Sequence, residues 1–314
     1  MLTIRLSFAI ACSLLLMNAT GAASCDSRRA VKQTNQTSAP VEAEPQRAGQ
    51  GTVNDKLKVL TRSTYGKVQD AFVAVAHDAE TYRELRELAG ALPELDADFF
   101  RQNLLVAAFL GQRRTGGYNV SITRQANGSL RIAEETPAKG AMLTQALTAP
   151  FLIVAVPVAP EESLVLELDR AWQARLRPYS LKTGEFKMTG GIAGRAESFG
   201  LEGGFGLMRM GRLATFVFDL KSSRGAKARV LKSVATGVVQ TDGSLNIAQL
   251  DAGSFVEPPN RLLRAKGNFT GQETSVRLIF ESVPSNIADA FHGEGSLEAA
   301  AKAPAPPKTS ATEM

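Results

Sequence analysis

Few residues in this chain have the type and spacing to do chemistry. It has two cysteines, Cys12 and Cys25, and two histidines, His77 and His292. There is no CxxC or HExxH spacing, so the donor sets of zinc sites are missing. A Ser-His-Asp hydrolase would have to use one of the two histidines, and no GxSxG accompanies either. His77 falls at a strand end just before a helix cap, a usual place for a structural or surface histidine. Glu134-Glu135 and Glu161-Glu162 are paired carboxylates. Glycosidase chemistry needs two carboxyl groups facing across a cleft, and pairs in loops or at strand ends are ordinarily solvated. Gly204-Phe205-Gly206 lacks a following GK[ST] and any surrounding βαβ alternation. It reads as backbone freedom for bulges and tight turns in a small curved sheet, not as a phosphate cradle. No catalytic residue, metal or cofactor is expected, and the chain is expected not to be an enzyme.

Cys25 is different because of what precedes it. Arg5 is followed by LSFAIACSLLLM, 12 uncharged residues at positions 6–17. A bilayer span needs ~20 apolar residues, and a signal-peptide core needs ~7–15. Ala22-Ala23-Ser24 then run directly into Cys25. This run resembles the lipobox of bacterial lipoproteins, whose cysteine becomes the lipidated N-terminus, although Leu is usual where Ala22 stands. Ordinary cleavage in the same cluster, giving a free periplasmic or secreted protein, is the alternative. Cys12 follows Ala11, but only six residues separate it from Arg5, too few for an apolar core. With Cys25 acylated and Cys12 removed, the mature chain has no thiol left for a disulfide.

These signals divide the 314 residues. Residues 1–24 read as a signal peptide. Residues 25–56 read as the lipidated cysteine and a disordered tether, because 26–56 contain no Leu, Ile, Met, Phe, Tyr or Trp to bury. Residues 285–314 read as a second disordered segment rich in Ala, Pro and Lys. Two folded blocks lie between, joined by a charged bridge at 159–180 that contains Trp172, and each is expected to have its own core.

The first block, 57–158, reads as α+β. Strands are expected at 57–62 and 70–77. Asp78 is a plausible N-cap for a helix at 79–90 with Tyr82, Leu85, Leu88 and Ala89 on one face, and Gly90 a stop. Arg83 and Glu87 are spaced to pair on the other face. The runs 103–110 and 151–158 are nearly all apolar and read as central strands. Between them, 117–124 and 129–134 alternate around Asn127-Gly128, a strong hairpin signal. The fold class is thus one helix on a mainly antiparallel sheet. The second block, 181–284, reads as mainly β, a small barrel or sandwich. It begins with eight glycines between Gly190 and Gly211. From 175 to 281 there are 16 Lys/Arg against nine Asp/Glu, a solvated basic face or a surface for anionic material. No Arg/aromatic stripe for single-stranded nucleic acid is visible, and nucleic acid is not an expected partner.

Within the first block, the run from 104 to 157 resembles the C-terminal domain of the bacterial protease complex subunit PrcB family. The residues that carry it are Gly111-Gln112-Arg113, then Thr115-Gly116-Gly117-Tyr118, Val120 and Ile122. Further along come Glu135-Thr136-Pro137, the Thr144 to Thr148 run and Pro150. Upstream, Thr64-Tyr65-Gly66 and Asp98-Phe99 are also family-like. Arg114 and Ala141 depart from the family, where Pro and Cys are common.

The resemblance implies a non-catalytic accessory or binding protein, like a lipoprotein subunit that associates with a secreted protease. The implied partner is a secreted or membrane-associated protease, or another envelope protein. A lipid anchor would hold the chain in a membrane of the bacterial cell envelope. The loop of Arg113, Arg114, Thr115, Gly116, Gly117 and Tyr118 is the expected partner-binding edge, exposed between two strands. On the alternative reading, its glycines only permit a tight turn and Tyr118 is core. Two rival functions remain open. A Gly-Gly-Tyr loop on a β-scaffold resembles the Thr-Thr-Gly-Tyr loop of chagasin-type cysteine protease inhibitors, and a cell-envelope hydrolase ranks last.

Overall fold

The computed structural model describes residues 57–90, 92–158, 164–189, 196–223, 229–252, 255, 262–283 and 292–302. The signal segment, Cys25, the tether, Glu161-Glu162 and the glycines at 190, 191 and 194 lie outside them.

The first block has strands β1 (Lys58–Ser63), β2 (Phe72–Ala76), β3 (Asn103–Phe109), β4 (Asn119–Arg124), β5 (Leu130–Glu135) and β6 (Phe151–Pro157), and helix α1 (Ala79–Ala89). An antiparallel sheet runs in the order β1-β6-β3-β2. The apolar runs of β3 and β6 are its centre, buried almost throughout as continuous apolar strands require. Asp78 caps α1, its Oδ1 accepting the Thr81 N–H at 2.7 Å, and Gly90 ends the helix at φ 87°. Instead of meeting Glu87, Arg83 lies 3.6 Å from Glu84.

The described part of the bridge, 164–180, is itself structured. Strand β7 (Leu166–Leu168) adds in parallel to β5, making a second sheet β4-β5-β7, and the short helix α2 (Arg170–Gln173) follows. Val120, Ile122, Leu130, Ile132, Leu166, Leu168 and the fully buried Trp172 join the core of the larger sheet.

The second block is a closed eight-stranded antiparallel barrel. Its strands are β8 (Arg177–Thr189), β9 (Glu197–Met210), β10 (Leu213–Ser222), β11 (Val230–Val239), β12 (Ser244–Asp251), β13 (Leu262–Thr270), β14 (Ser275–Ser282) and β15 (His292–Ala301). Each strand pairs with the next, and β15 pairs back onto β8. Phe205, Phe216, Phe218 and Phe280 fill the interior, with ring centroids 5.4–6.0 Å apart along the chain of contacts. The outer wall carries pairs such as Lys182–Glu298 and Arg264–Glu281. Apolar inside and charged outside is the reverse of a barrel embedded in lipid.

Two sequence expectations change here. Part of the expected tail, 292–301, is strand β15, which closes the barrel. Its Ala- and Glu-rich sequence has little strand propensity. Leu297 and Ala299 point into the core and both edges of the strand are paired, so tertiary context overrides propensity. The Gly-rich stretch is also mostly strand, as β9. A Cβ on Gly204 would sit 2.1 Å from the Tyr179 carbonyl oxygen, so glycine is what lets β8 and β9 approach.

The barrel and the sheet belong to one compact unit. The barrel interior is a separate core, as expected, but the first core extends onto the barrel's outer wall through Met208, Leu213, Val234 and Val238. This contact covers β2, an edge strand of its sheet. The Val75 N–H donates to Thr236 Oγ1 at 2.8 Å, and Thr215 Oγ1 donates to the Val73 carbonyl at 2.6 Å. The two hydroxyl oxygens are 2.8 Å apart on directly paired residues of β10 and β11. With the Thr215 proton already committed, Thr236 must donate to Thr215. A proton-ordered chain therefore satisfies one donor and one acceptor of the strand edge.

Candidate functional site

The loop between β3 and β4 is held by backbone geometry. Gly111 has φ 70°, and a Cβ there would lie 2.4 Å from the Gln69 carbonyl oxygen. Arg113 and Thr148 exchange both backbone hydrogen bonds, at 2.7 and 2.9 Å. The Gly116 N–H donates to the Thr144 carbonyl at 3.0 Å. Gly117 has φ 86°, and a Cβ there would meet Leu143 at 2.9 Å and Pro137 at 3.0 Å. The loop is thus packed along the 136–149 segment.

Two arginines converge on one carboxylate. Arg113 donates from Nε and Nη2 to Glu134 Oε1 at 3.3 and 3.0 Å. Arg175 donates from Nη2 to Glu134 Oε2 at 2.5 Å. Each guanidinium also lies over a ring, Arg113 over Tyr118 at 5.5 Å and Arg175 over Trp172 at 5.1 Å. The Glu134 N–H donates to Asp169 Oδ2, and Asp169 Oδ1 accepts from the Trp172 N–H as the cap of α2. This clamp ties the loop, β5 and the bridge helix together. Flat guanidiniums suit such a site because they can bond a carboxylate and stack at once.

The expected binding edge therefore divides. The Arg113 side chain is 18% exposed and serves as a strut, contrary to the expectation of a free recognition group. Gly116 is buried, and Thr115 and Tyr118 are half-buried. Arg114 and Gly117 are exposed. The partner that explains Arg113 lies 21 residues away, which is why the loop alone did not reveal it. A signal was present, since period-2 alternation in β5 puts Glu134 on the inward face of Leu130 and Ile132. An acid at an inward strand position calls for a cation.

The other groups separate in the same way. Glu134 is clamped while Glu135 is exposed, so the two do not form an acid/base pair. Burial lowers the His77 imidazole to about 4, against the raising effect of Asp78. His292 begins β15 opposite Thr189. Among the described residues no cluster of three or more His, Cys, Asp or Glu side chains could hold a metal ion, and no helix is long and apolar enough to cross a membrane. Cations of the basic block such as Arg209, Arg212, Arg229 and Arg264 lie in ion pairs with carboxylates.

Three large apolar side chains are also exposed beside the loop. Tyr65 is 69% exposed, Leu147 62% and Met142 fully. Tyr65 bridges to Ala149, and Leu147 precedes the Thr148 that pairs with Arg113.

Residues 104–157 match the family model described as PrcB C-terminal. The PrcB-like segment runs from the start of β3 to the end of β6, and so contains both central strands, the loop and Glu134. No curated protein matches the chain. One similar solved structure is a Bacteroides ovatus protein described as structural genomics, unknown function, with 8% identity and a TM-score of 0.28. The match covers 77% of this chain and 94% of that one.

Proposed function

We propose that this chain is an exported, non-catalytic accessory protein that binds a protein partner, and that the partner is a secreted or membrane-associated protease. The observation that carries this reading is the PrcB C-terminal match over β3 to β6. The geometry supports it, because the PrcB-like loop is braced from within by the Glu134 clamp and flanked by exposed apolar side chains. A rigid scaffold presenting such groups is a common basis for recognition. The anchor in this reading is lipid on Cys25, motivated by the apolar run at 6–17 and the small residues before the cysteine. Acyl chains would hold the protein at a membrane of the bacterial envelope.

Two measurements test this. Cys25→Ser should move the protein from the membrane to the soluble fraction and remove the lipid mass. A variant that still fractionates with membranes, beside a wild type without lipid, removes the anchor from the proposal. Capture from detergent-solubilised native membranes, with the bound proteins identified by mass spectrometry, should recover a protease. Recovery of no protease in repeated captures overturns the accessory reading.

A further inference from the structure

We infer that the exposed face formed by Tyr65, Leu147 and Arg114 docks a protein segment in which an apolar side chain lies beside an aspartate or glutamate. The inference rests on the accessory reading above and specifies the surface and the chemistry of its partner.

Backbone pairing builds this face. The Gly66 N–H donates to the Ala149 carbonyl at 2.8 Å, and the Ala149 N–H donates to the Thr64 carbonyl at 2.9 Å. On the other side of the same segment, Thr148 pairs antiparallel with Arg113. Arg114 and Leu147 are the chain neighbours of this bridged pair. Thr148 is 4% exposed and Arg113 is held by Glu134, whereas their neighbours Leu147 and Arg114 are exposed. Three segments distant in sequence are thus joined by backbone pairing, and each carries one exposed group there: an aromatic ring, an aliphatic side chain and a guanidinium. Single exposed apolar residues are ordinary on a protein surface. Two large ones fixed beside an arginine by backbone hydrogen bonds are the unusual feature.

Charge selects the partner. Arg113 and Arg114 are adjacent, yet only Arg113 meets a carboxylate. Among the described residues Arg114 lies in no ion pair, and it is exposed. A free guanidinium accepts a carboxylate through two parallel N–H···O bonds, and the flanking Tyr65 and Leu147 would exclude water from that contact. An anionic membrane fits less well, because electrostatic attachment to lipid draws on clusters of several Lys and Arg, not on one arginine between apolar groups.

The test uses the detergent-solubilised full chain as bait for a displayed library of random linear peptides. Enriched peptides should carry Asp or Glu next to Leu, Phe, Tyr or another large apolar residue. Their binding should weaken about tenfold with Arg114→Ala, and also with Leu147→Ala or Tyr65→Ala. Arg114→Lys should restore only part of it, since an ammonium keeps the charge but not the fork. Unchanged melting curves keep these losses from being folding defects. Enrichment without acidic residues, no enrichment at all, or binding indifferent to all three alanine variants overturns the inference. So does Arg114-dependent sedimentation of the Cys25→Ser chain with phosphatidylglycerol vesicles. The two proposals fail separately. A protease captured equally by wild type and by Arg114→Ala leaves the accessory reading standing without this surface. Acidic-apolar peptides lost on Arg114→Ala, with no protease in the membrane capture, leave the surface standing without that reading.

Discussion

The sheet block and the barrel are both largely antiparallel, but they finish their edges differently. The barrel pairs its eight strands into a ring, so none of them is an edge strand. The four-stranded sheet ends at β1 and β2, and β2 is completed by two threonines on the barrel wall. The PrcB-like segment therefore belongs to a sheet whose far edge depends on a block outside the family match. The barrel is a support for the sheet as much as a second domain.

The comparison breaks most visibly if the barrel can be damaged alone. Phe216 is fully buried among Phe205, Phe218 and Phe269. Phe216→Ala should cost about 3–5 kcal/mol. Trp172 is the sole tryptophan and lies in the sheet's core, so its fluorescence reports the other block. In urea, the Trp172 transition should shift together with the far-UV circular dichroism. A Trp172 midpoint left in place would show two independent cores and end the dependence argued here.

The threonine contact sharpens the same point from the interface. Thr215→Val with Thr236→Val keeps the shape but leaves the Val73 carbonyl and the Val75 N–H without partners. Each orphaned buried group costs about 1–3 kcal/mol, so the pair should cost about 2–6. Hydrogen exchange should show the Val75 amide losing protection while amides between β13 and β14 keep theirs. Equal loss at both places would mean that the mutations act on the barrel itself.

The difference between the blocks also governs how much of each could be read from sequence. In the first block, long apolar runs, Asp78 before a helical face and Asn127-Gly128 between alternating strands are local signals, and the elements follow them closely. In the barrel, the mainly β character was legible from short strands set between turn residues. Strands β9 and β15 were not, because glycine and alanine lack the β-branched signature and are chosen there for close approach between neighbours. The site divided along the same line. The family-like run located the loop. It could not separate Arg113 from Arg114, since the carboxylate that claims one of them sits on another strand. Buried Glu84 was hidden for the same reason, as its partner Arg212 lies in the barrel, 2.9 Å away.

His77 tests the seam by pH. It ends the covered strand, and burial lowers its pKa to about 4 from an ordinary 6.5. The unfolded chain therefore binds the proton more readily than the folded one between these values. Its contribution to stability is fully present above about pH 6.5 and is lost as pH falls toward 4. The loss should be at most about 3 kcal/mol, and less to the extent that the half-buried ring keeps water. His77→Gln should flatten this part of the stability-pH curve. An unchanged slope would assign the acid sensitivity to other groups.

The smallest effects separate the two adjacent arginines. Arg113→Ala leaves Glu134 with Arg175 alone and strips the cation from above Tyr118. Because Arg113 keeps 18% exposure, water compensates in part, and a cost of about 1–2 kcal/mol is expected. Arg114→Ala removes an exposed side chain with no ion pair among the described residues, so stability should change by less than about 0.5 kcal/mol. Partner recovery should follow the opposite order, falling strongly for Arg114→Ala at unchanged melting temperature. Glu134→Gln distinguishes a strut from a contact. It removes the charge that holds both Arg113 and Arg175, so it should cost at least as much stability as Arg113→Ala, without touching the exposed face. If the Arg113→Ala and Glu134→Gln losses simply add in the double variant, the two side chains do not act as a pair, and the loop is held by its backbone bonds to Thr144 and Thr148 alone.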